Sequence, residues 1–377
     1  MERKVIFLVF LVNSLSITAQ ETTYPYDAFY PGTIWEDSGE NHINAHGGGI
    51  MFKGDTYYWY GEHKGKSSKA RVGINVYSSK DLYNWKKEGV ALAVEDDPDS
   101  EITGGSVMER PKVVYNEKTG KYVMWFHLEL KGQGYAAART GLAVSDNPTG
   151  PFEYLKSFRP NAGVWPKNFK EEWKETPEDG DAEEWWTDEW YKALNDGMFV
   201  RRDFEDGQMA RDMTVFVDDD GTAYHIHSSE ENQTLHISEL TDDYLGFTDN
   251  WVRVKPGGQN EAPTIFKHKE HYYMITSGLT GWEPNKARSF KAESVMGPWK
   301  GLGNPAKGEE ANVTFRSQST FVLPVQGKEN AYIFMADRWK PDNHIDGRYI
   351  WLPIEFKNDK PIIEWHDQWD LSFFNEE

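Results

Sequence analysis

Apolar and aromatic residues in this chain come in short alternating runs, broken by clusters of Gly, Asp, Lys and Asn. One phrase returns five times: an aliphatic or aromatic run, a tight polar turn, then a second run built around aromatics. The copies span Ile50 to Tyr60, Val113 to Trp125, Val215 to Ile226, Thr264 to Ile275 and Phe321 to Phe334. Each predicts a strand, a turn and an antiparallel strand. A second phrase follows four of the copies, at Val76 to Trp85, Ala143 to Phe152, Ile237 to Leu245 and Ala292 to Trp299. It predicts a third strand, a turn, and an outer strand opened by an aromatic. Helical periodicity is nearly absent from Ile50 to Ile354. Four-stranded units repeated at intervals of roughly fifty to a hundred residues predict blades around an axis. The expected fold is all-β, a five-bladed β-propeller, with Tyr349 to Phe356 completing the last blade.

One stretch interrupts the repeat. Residues 161–208 lie between the second and third hairpins and are rich in Trp, Glu and Asp. They predict a long inserted loop with short helical turns lying over one face, packed by its aromatics rather than disordered.

Composition sharpens this picture. Arg3 and Lys4, the apolar run Val5 to Val12, and Ile17-Thr18-Ala19 before Gln20 predict a cleaved secretory signal peptide over residues 1–20. Its apolar run is too short to span a bilayer. The expected domain is then a single propeller over 21–377, secreted or periplasmic and a monomer. The 377 residues contain no Cys, so the fold rests on its core alone. A formal charge of −20 argues against nucleic-acid partners and against anionic membranes. Aromatics make up 15% of the chain, a supply that serves both sheet packing and stacking on sugar rings.

Innermost strands of a propeller begin near its axis, so the residues just before each hairpin are the site candidates. They are His46-Gly-Gly-Gly49, Met108-Glu-Arg-Pro111, Arg211-Asp-Met-Thr214, Asn260-Glu-Ala-Pro263 and Ser317-Gln-Ser-Thr320. Three carry an acid, Glu109, Asp212 and Glu261, and one an amide, Gln318. Converging carboxylates raise one another's pKa, as a proton donor to a glycosidic oxygen requires.

On these residues the chain resembles glycoside hydrolase family 43, five-bladed propellers that act as inverting exo-enzymes. Glu261-Ala-Pro ahead of a hairpin is similar to the family's general-acid motif, and Asp212 to the Asp that orients the acid and adjusts its pKa. Asp218, Asp219 and Asp220 read as solvated turn residues. The family's usual base Asp falls at Gly47, so that carboxylate is missing. His46-Gly-Gly-Gly, Glu109-Arg-Pro-Lys, Ser317-Gln-Ser-Thr and Asp337-Arg-Trp resemble the subgroup of exo-β-1,3-galactanases. There a glutamine has been proposed to act through its imidic-acid tautomer. The resemblance implies that Gln318 holds the nucleophilic water, whereas plain acid–base reasoning offers Glu109.

His46, Glu62, Arg110, Trp282, Arg338 and Trp339 are candidates for substrate binding, Trp282 and Trp339 by stacking on a sugar face. Some family members hold an axial calcium; no acidic calcium loop is present here, and no metal or cofactor is expected. The leading expectation is release of terminal galactose from β-1,3-galactan of arabinogalactan type. An α-L-arabinofuranosidase or β-D-galactofuranosidase of the same architecture, and a non-catalytic carbohydrate-binding propeller, are the alternatives.

Overall fold

The computed structural model describes residues 25–175, 184–281, 283–340 and 342–375; the expected signal peptide lies outside them. Five sheets follow one another along the chain, antiparallel throughout except for one short parallel pair at Ala306–Lys307 in the last. Blade 1 holds β1 (His46–Lys53), β2 (Thr56–Glu62), β3 (Gly73–Ser79) and β4 (Lys86–Ala93). Blade 2 holds β5 (Val107–Asn116), β6 (Lys121–Glu129), β7 (Arg139–Ser145) and β8 (Glu153–Phe158). Blade 3 holds β9 (Met213–Val217), β10 (Ala223–Ser229), β11 (Thr234–Leu240) and β12 (Phe247–Val254). Blade 4 holds β13 (Glu261–His268), β14 (His271–Ser277), β15 (Arg288–Ala292) and β16 (Lys300–Gly303). Blade 5 holds β17 (Ala306–Lys307), β18 (Gln318–Pro324), β19 (Tyr332–Arg338), β20 (Arg348–Lys357) and β21 (Lys360–Glu364). All five hairpins expected from the repeat form, as the pairs β1–β2, β5–β6, β9–β10, β13–β14 and β18–β19. Each innermost strand touches that of the next blade, and β18 touches β1, which closes the ring.

The aromatic content follows from this arrangement. A blade is covered by neighbours on both faces, so successive residues of a strand feed two different seams. In β2, Tyr57 and Trp59 pack towards blade 5 against Ile333 and Trp351, whereas Tyr60 packs towards blade 2 against Met124 and Phe126. In β14, Tyr273 and Ile275 face blade 5 while Tyr272 and Met274 face blade 3. The seam between blades 5 and 1 is the richest in indoles, with Trp59, Trp85, Trp351 and Trp369 buried around Phe29. Among the described residues no strand is shared across that seam, so its packing closes the ring.

The described part of 161–208 forms α1 (Glu171–Lys174), α2 (Asp188–Asn195) and α3 (Met198–Arg202). Thr187 caps α2, its hydroxyl accepting from Trp190 N at 3.2 Å. The segment docks against the outer strands of blade 3. Trp251 Nε1 donates to Val164 O at 3.0 Å, and Asn168 exchanges two hydrogen bonds with the Arg253 backbone at 2.7 and 3.0 Å. Among the described residues, no helix is long and apolar enough to cross a membrane.

Candidate active site

The strands of the ring place their first residues through a recurring backbone device. Register shifts interrupt β1 between His46 and Gly49, β5 between Glu109 and Lys112, β13 between Glu261 and Thr264, and β18 between Ser319 and Phe321. These are β-bulges, which bend a strand and re-aim a side chain. In three of them the bulged residue is left-handed: Gly47 (φ 61), Arg110 (φ 54) and Ala262 (φ 50). For Arg110 and Ala262 that conformation costs about 1–3 kcal/mol each, so contacts must hold it. The Ala262 N–H donates to Asp212 Oδ2 at 3.0 Å, and its carbonyl accepts from Ser319 Oγ at 2.7 Å.

Arg110 is the hub of the site. Its buried guanidinium donates from Nε to Asp212 Oδ1 at 2.8 Å, from Nη1 to Ser319 O at 3.0 Å, and from Nη2 to Gln318 Oε1 at 2.6 Å. Blades 2, 3 and 5 are thus joined across the axis by one rigid fork. Below it, the buried Lys112 ammonium donates to Gly47 O at 3.0 Å and to Arg110 O at 3.3 Å. Above it opens a cavity of about 310 Å³, walled by Glu62, Glu109, Asp212, Glu261, Gln318 and Trp339. The far end of the channel is a separate, mainly apolar cavity of about 510 Å³ with Lys112 in its wall.

Two opposite electrostatic environments face each other in the cavity. Burial raises the Glu261 carboxyl above the ordinary carboxylate range, and the neighbouring negative charge of Asp212 raises it further; Arg110, Arg211 and a hydrogen bond from Asn232 oppose them without prevailing. Glu261 is therefore set to hold a proton near neutral pH. Burial works on Glu109 in the same direction, but Lys64, His127 and Arg110 outweigh it and hold this carboxyl below the ordinary range. Lys64 is itself buried, 2.6 Å from Glu62 Oε2 and 3.2 Å from Glu109 Oε1. Burial pushes Glu62 up to about 8, with Lys64 pulling against it.

The room for a side chain at position 47 is already taken. A β-carbon on Gly47 would lie 2.6 Å from Glu62 Oε1, and one on Gly48 would lie 2.1 Å from Tyr60 O. Glu62 fills the room that a side chain at position 47 needs, and the left-handed turn at Gly47 is pinned by its N–H donating to Asp337 Oδ2 at 2.6 Å. Gln318 is fixed at both ends of its amide: Oε1 accepts from Arg110, and Nε2 donates to Ser277 Oγ at 2.9 Å.

Glu261, Asp212, Gln318, Glu109, Glu62, Arg110 and Trp339 thus come together at the cavity. Two expected substrate binders do not reach it. His46 stands at the same point before its bulge as Glu109 and Glu261, yet it is fully buried, stacked on Tyr349 at 5.4 Å with Trp339 6.0 Å away and Gly347 pressed against its ring, so blade 5 covers it. Arg338 follows the alternation of β19 to the other side of the blade, where Nε donates to Phe315 O at 3.0 Å and its guanidinium covers Trp365 at 5.2 Å. It lines a different cavity of about 500 Å³. Trp282 lies outside the described residues. Asp218 and Asp219, in the turn after β9, pair with Lys267 of blade 4 at 3.3 and 2.7 Å; Asp218 is not simply solvated, since it also accepts from the Tyr272 hydroxyl at 2.5 Å.

Sequence reasoning missed Lys64, Asn232, Tyr135 and Arg316. Tyr135 and Arg316 wall the cavity, and the Arg211 guanidinium lies 5.0 Å from the Tyr135 ring. Lys64 had a faint signal, lying two residues beyond Glu62 and so on the same face of an extended chain. The channel floor does not fit the calcium of other family members. The Lys112 ammonium donates to the Gly47 and Arg110 carbonyls there, and among the described residues no group of three His, Asp or Glu is arranged to hold a metal.

A five-bladed ring with a proton-holding carboxyl and an ionised one across a small axial cavity defines a glycoside hydrolase. The chain belongs to glycosyl hydrolases family 43, whose profile matches residues 182–361. It is 54% identical to the GH43 β-1,3-galactosidase BT3683, solved with galactodeoxynojirimycin, over 91% of this chain and 100% of that one, with a TM-score of 0.89. It is 32% identical to the exo-β-1,3-galactanase from Phanerochaete chrysosporium solved with β-1,3-galactotriose, over 92% of this chain and 68% of that one, with a TM-score of 0.74. It is 36% identical to an exo-β-1,3-galactanase from Clostridium thermocellum, over 90% of this chain and 66% of that one, also with a TM-score of 0.74. Comparison with curated proteins gave no match.

Proposed function

We propose that this enzyme removes terminal galactose from β-1,3-linked galactan, with inversion at the anomeric carbon. The observation that carries the reading is Glu261, a buried carboxyl whose pKa is raised by burial and by Asp212, on the wall of a cavity closed from below by Arg110 and Lys112. The closed floor blocks passage through the ring, so a sugar enters and leaves by one mouth. A cavity of about 310 Å³ lies at the small end of ligand sites, roughly 300–1,000 Å³, as suits a terminal sugar. The galactose-type ligand of BT3683 and the galactan-cleaving relatives support the sugar and the linkage.

In this reading Glu261 protonates the oxygen of the leaving sugar. Glu109, kept ionised by Lys64, takes the proton of the attacking water. Gln318 holds that water. A guanidinium N–H 2.6 Å from Gln318 Oε1 favours the amide, whose oxygen carries the greater negative charge, over the imidic acid. That contact favours Glu109 as the base and Gln318 as the group that positions water. Trp339 offers a sugar-stacking face and Glu62 an acceptor for hydroxyls. The basic and apolar start of the sequence supports export of the enzyme to the periplasm or beyond.

The test is proton NMR of the methyl β-glycoside of β-1,3-galactobiose during the first turnovers, so that the free galactose comes from the non-reducing end alone. The expected first product is α-galactose, with β-galactose growing in by mutarotation. Release of β-galactose first, or cleavage only of arabinofuranosyl or galactofuranosyl aryl glycosides, overturns the reading.

A further inference from the structure

The turn between β10 and β11 carries three consecutive left-handed residues, Glu230 (φ 51), Glu231 (φ 57) and Asn232 (φ 62). Glycine is absent from all three positions, so the conformation has to be imposed from outside. The constraints come from blade 3 and, behind it, from the 161–208 segment. Glu230 is fully buried; it accepts from Arg253 Nε at 2.7 Å and Nη2 at 2.6 Å, and its Oε1 pairs with His236 Nε2 at 2.8 Å. The same guanidinium donates onward to Leu194 O at 2.8 Å and Asn195 O at 3.0 Å, the carbonyls that end α2. Glu231 is held by Arg202 of α3 at 2.9 Å and by Arg211 at 3.1 Å. The third residue points the other way. Asn232 is buried, and its Nδ2 donates to Glu261 Oε1 at 2.7 Å.

We infer that the 161–208 segment serves as a buttress for the acid: the end of α2 backs Arg253, which clamps Glu230, α3 supplies Arg202 to Glu231, and the clamped turn presents Asn232 as a positioning residue for Glu261. The amide N–H occupies Oε1, so the transferable proton resides on Oε2. It also fixes the carboxyl plane against rotation, which matters because misplacement by about 1 Å can cost on the order of 100-fold in rate. The inference rests on Glu261 being the proton donor proposed above.

The experiment compares two substrates of different leaving-group demand. β-1,3-Galactobiose needs a proton on its leaving oxygen; 2,4-dinitrophenyl β-galactoside does not. Asn232→Gly keeps the left-handed backbone and removes the amide. The expected result is a fall of about 10- to 100-fold in kcat/KM on the disaccharide, with a change of less than about threefold on the activated aryl glycoside. Arg202→Gln, at a partly exposed ion pair, is expected to give a smaller loss in the same direction without affecting the melting temperature of the ring. Equal losses on both substrates, or no loss on either in a folded variant, overturn the role of Asn232. A loss in N232G with none in R202Q overturns the buttress and leaves a local hydrogen bond. If the unaltered enzyme cleaves neither galactoside, the function proposed above fails instead, and the two failures are distinguishable.

Discussion

Glu261 and Glu109 occupy matching points on blades 4 and 2, each at the bulged start of an innermost strand, and each is withdrawn from water. Burial acts on both in the same direction, yet their carboxyls move apart: Glu261 rises and Glu109 falls. The difference lies in what each one faces. Glu261 has the negative charge of Asp212 beside it; Glu109 has the Lys64 ammonium at 3.2 Å. The comparison teaches that a propeller's symmetry supplies equivalent positions and leaves the chemistry to the charges gathered around each.

The hardest way to break the contrast is to remove each carboxylate in turn. Glu261→Gln is expected to lower kcat/KM on β-1,3-galactobiose by roughly 10²–10⁴-fold while calorimetry still detects galactose binding. Glu109→Ala is expected to lose a similar amount and to recover partly in azide, because an anion attacks without a base. The product would be α-galactosyl azide. If Gln318→Ala, and not Glu109→Ala, shows that rescue, the base has been assigned to the wrong blade.

The pH profile sharpens the same contrast. Activity requires Glu261 protonated and Glu109 ionised, so it fails as pH rises through the raised pKa of Glu261 and as pH falls through the lowered pKa of Glu109. Asp212→Asn removes the like charge, lowers the pKa of Glu261 and moves the alkaline limb to lower pH. Lys64→Met removes the cation, raises the pKa of Glu109 and moves the acid limb to higher pH. An alkaline limb unmoved in D212N would sink the coupling between Asp212 and the acid.

The smallest effects separate the cavity from its surroundings. Trp339→Ala is expected to raise KM for the disaccharide by roughly 2- to 10-fold, the loss of a stacking contact of about 0.5–1.5 kcal/mol. Arg338→Ala, one residue earlier in sequence and on the other side of the blade, is expected to leave KM unchanged. Steady-state kinetics on the pair checks both; a matching rise in KM for R338A would put the guanidinium back at the substrate.

The ring was legible because its signal is repeated and local. Tyr57 to Tyr60, Tyr122 to Trp125 and Tyr272 to Ile275 each announce a strand with two buried faces, and a polar turn precedes each. The converging acids were legible for the same reason, since each precedes a copy of the hairpin. Aim was harder to read. Arg338 and Trp339 are adjacent, and only the strand's alternation sends one to the cavity and the other behind it. A bulge changes the count by one residue, and nothing in His46-Gly-Gly-Gly49 or Glu109-Arg-Pro-Lys112 announces the shift. Asn232 sits in an ordinary-looking polar turn, Glu-Glu-Asn, whose left-handed backbone is imposed by Arg253 and Arg202 from elsewhere in the chain.

The carboxylate of Glu62 that fills the room beside Gly47 has a consequence for inheritance. A descendant gaining Asp at position 47 would place its β-carbon 2.6 Å from Glu62 Oε1. One losing Glu62 first would leave Glu109 as the carboxyl partner of the buried Lys64 ammonium. The two positions share one space, so a change at either alters what the other tolerates: they evolve as a pair.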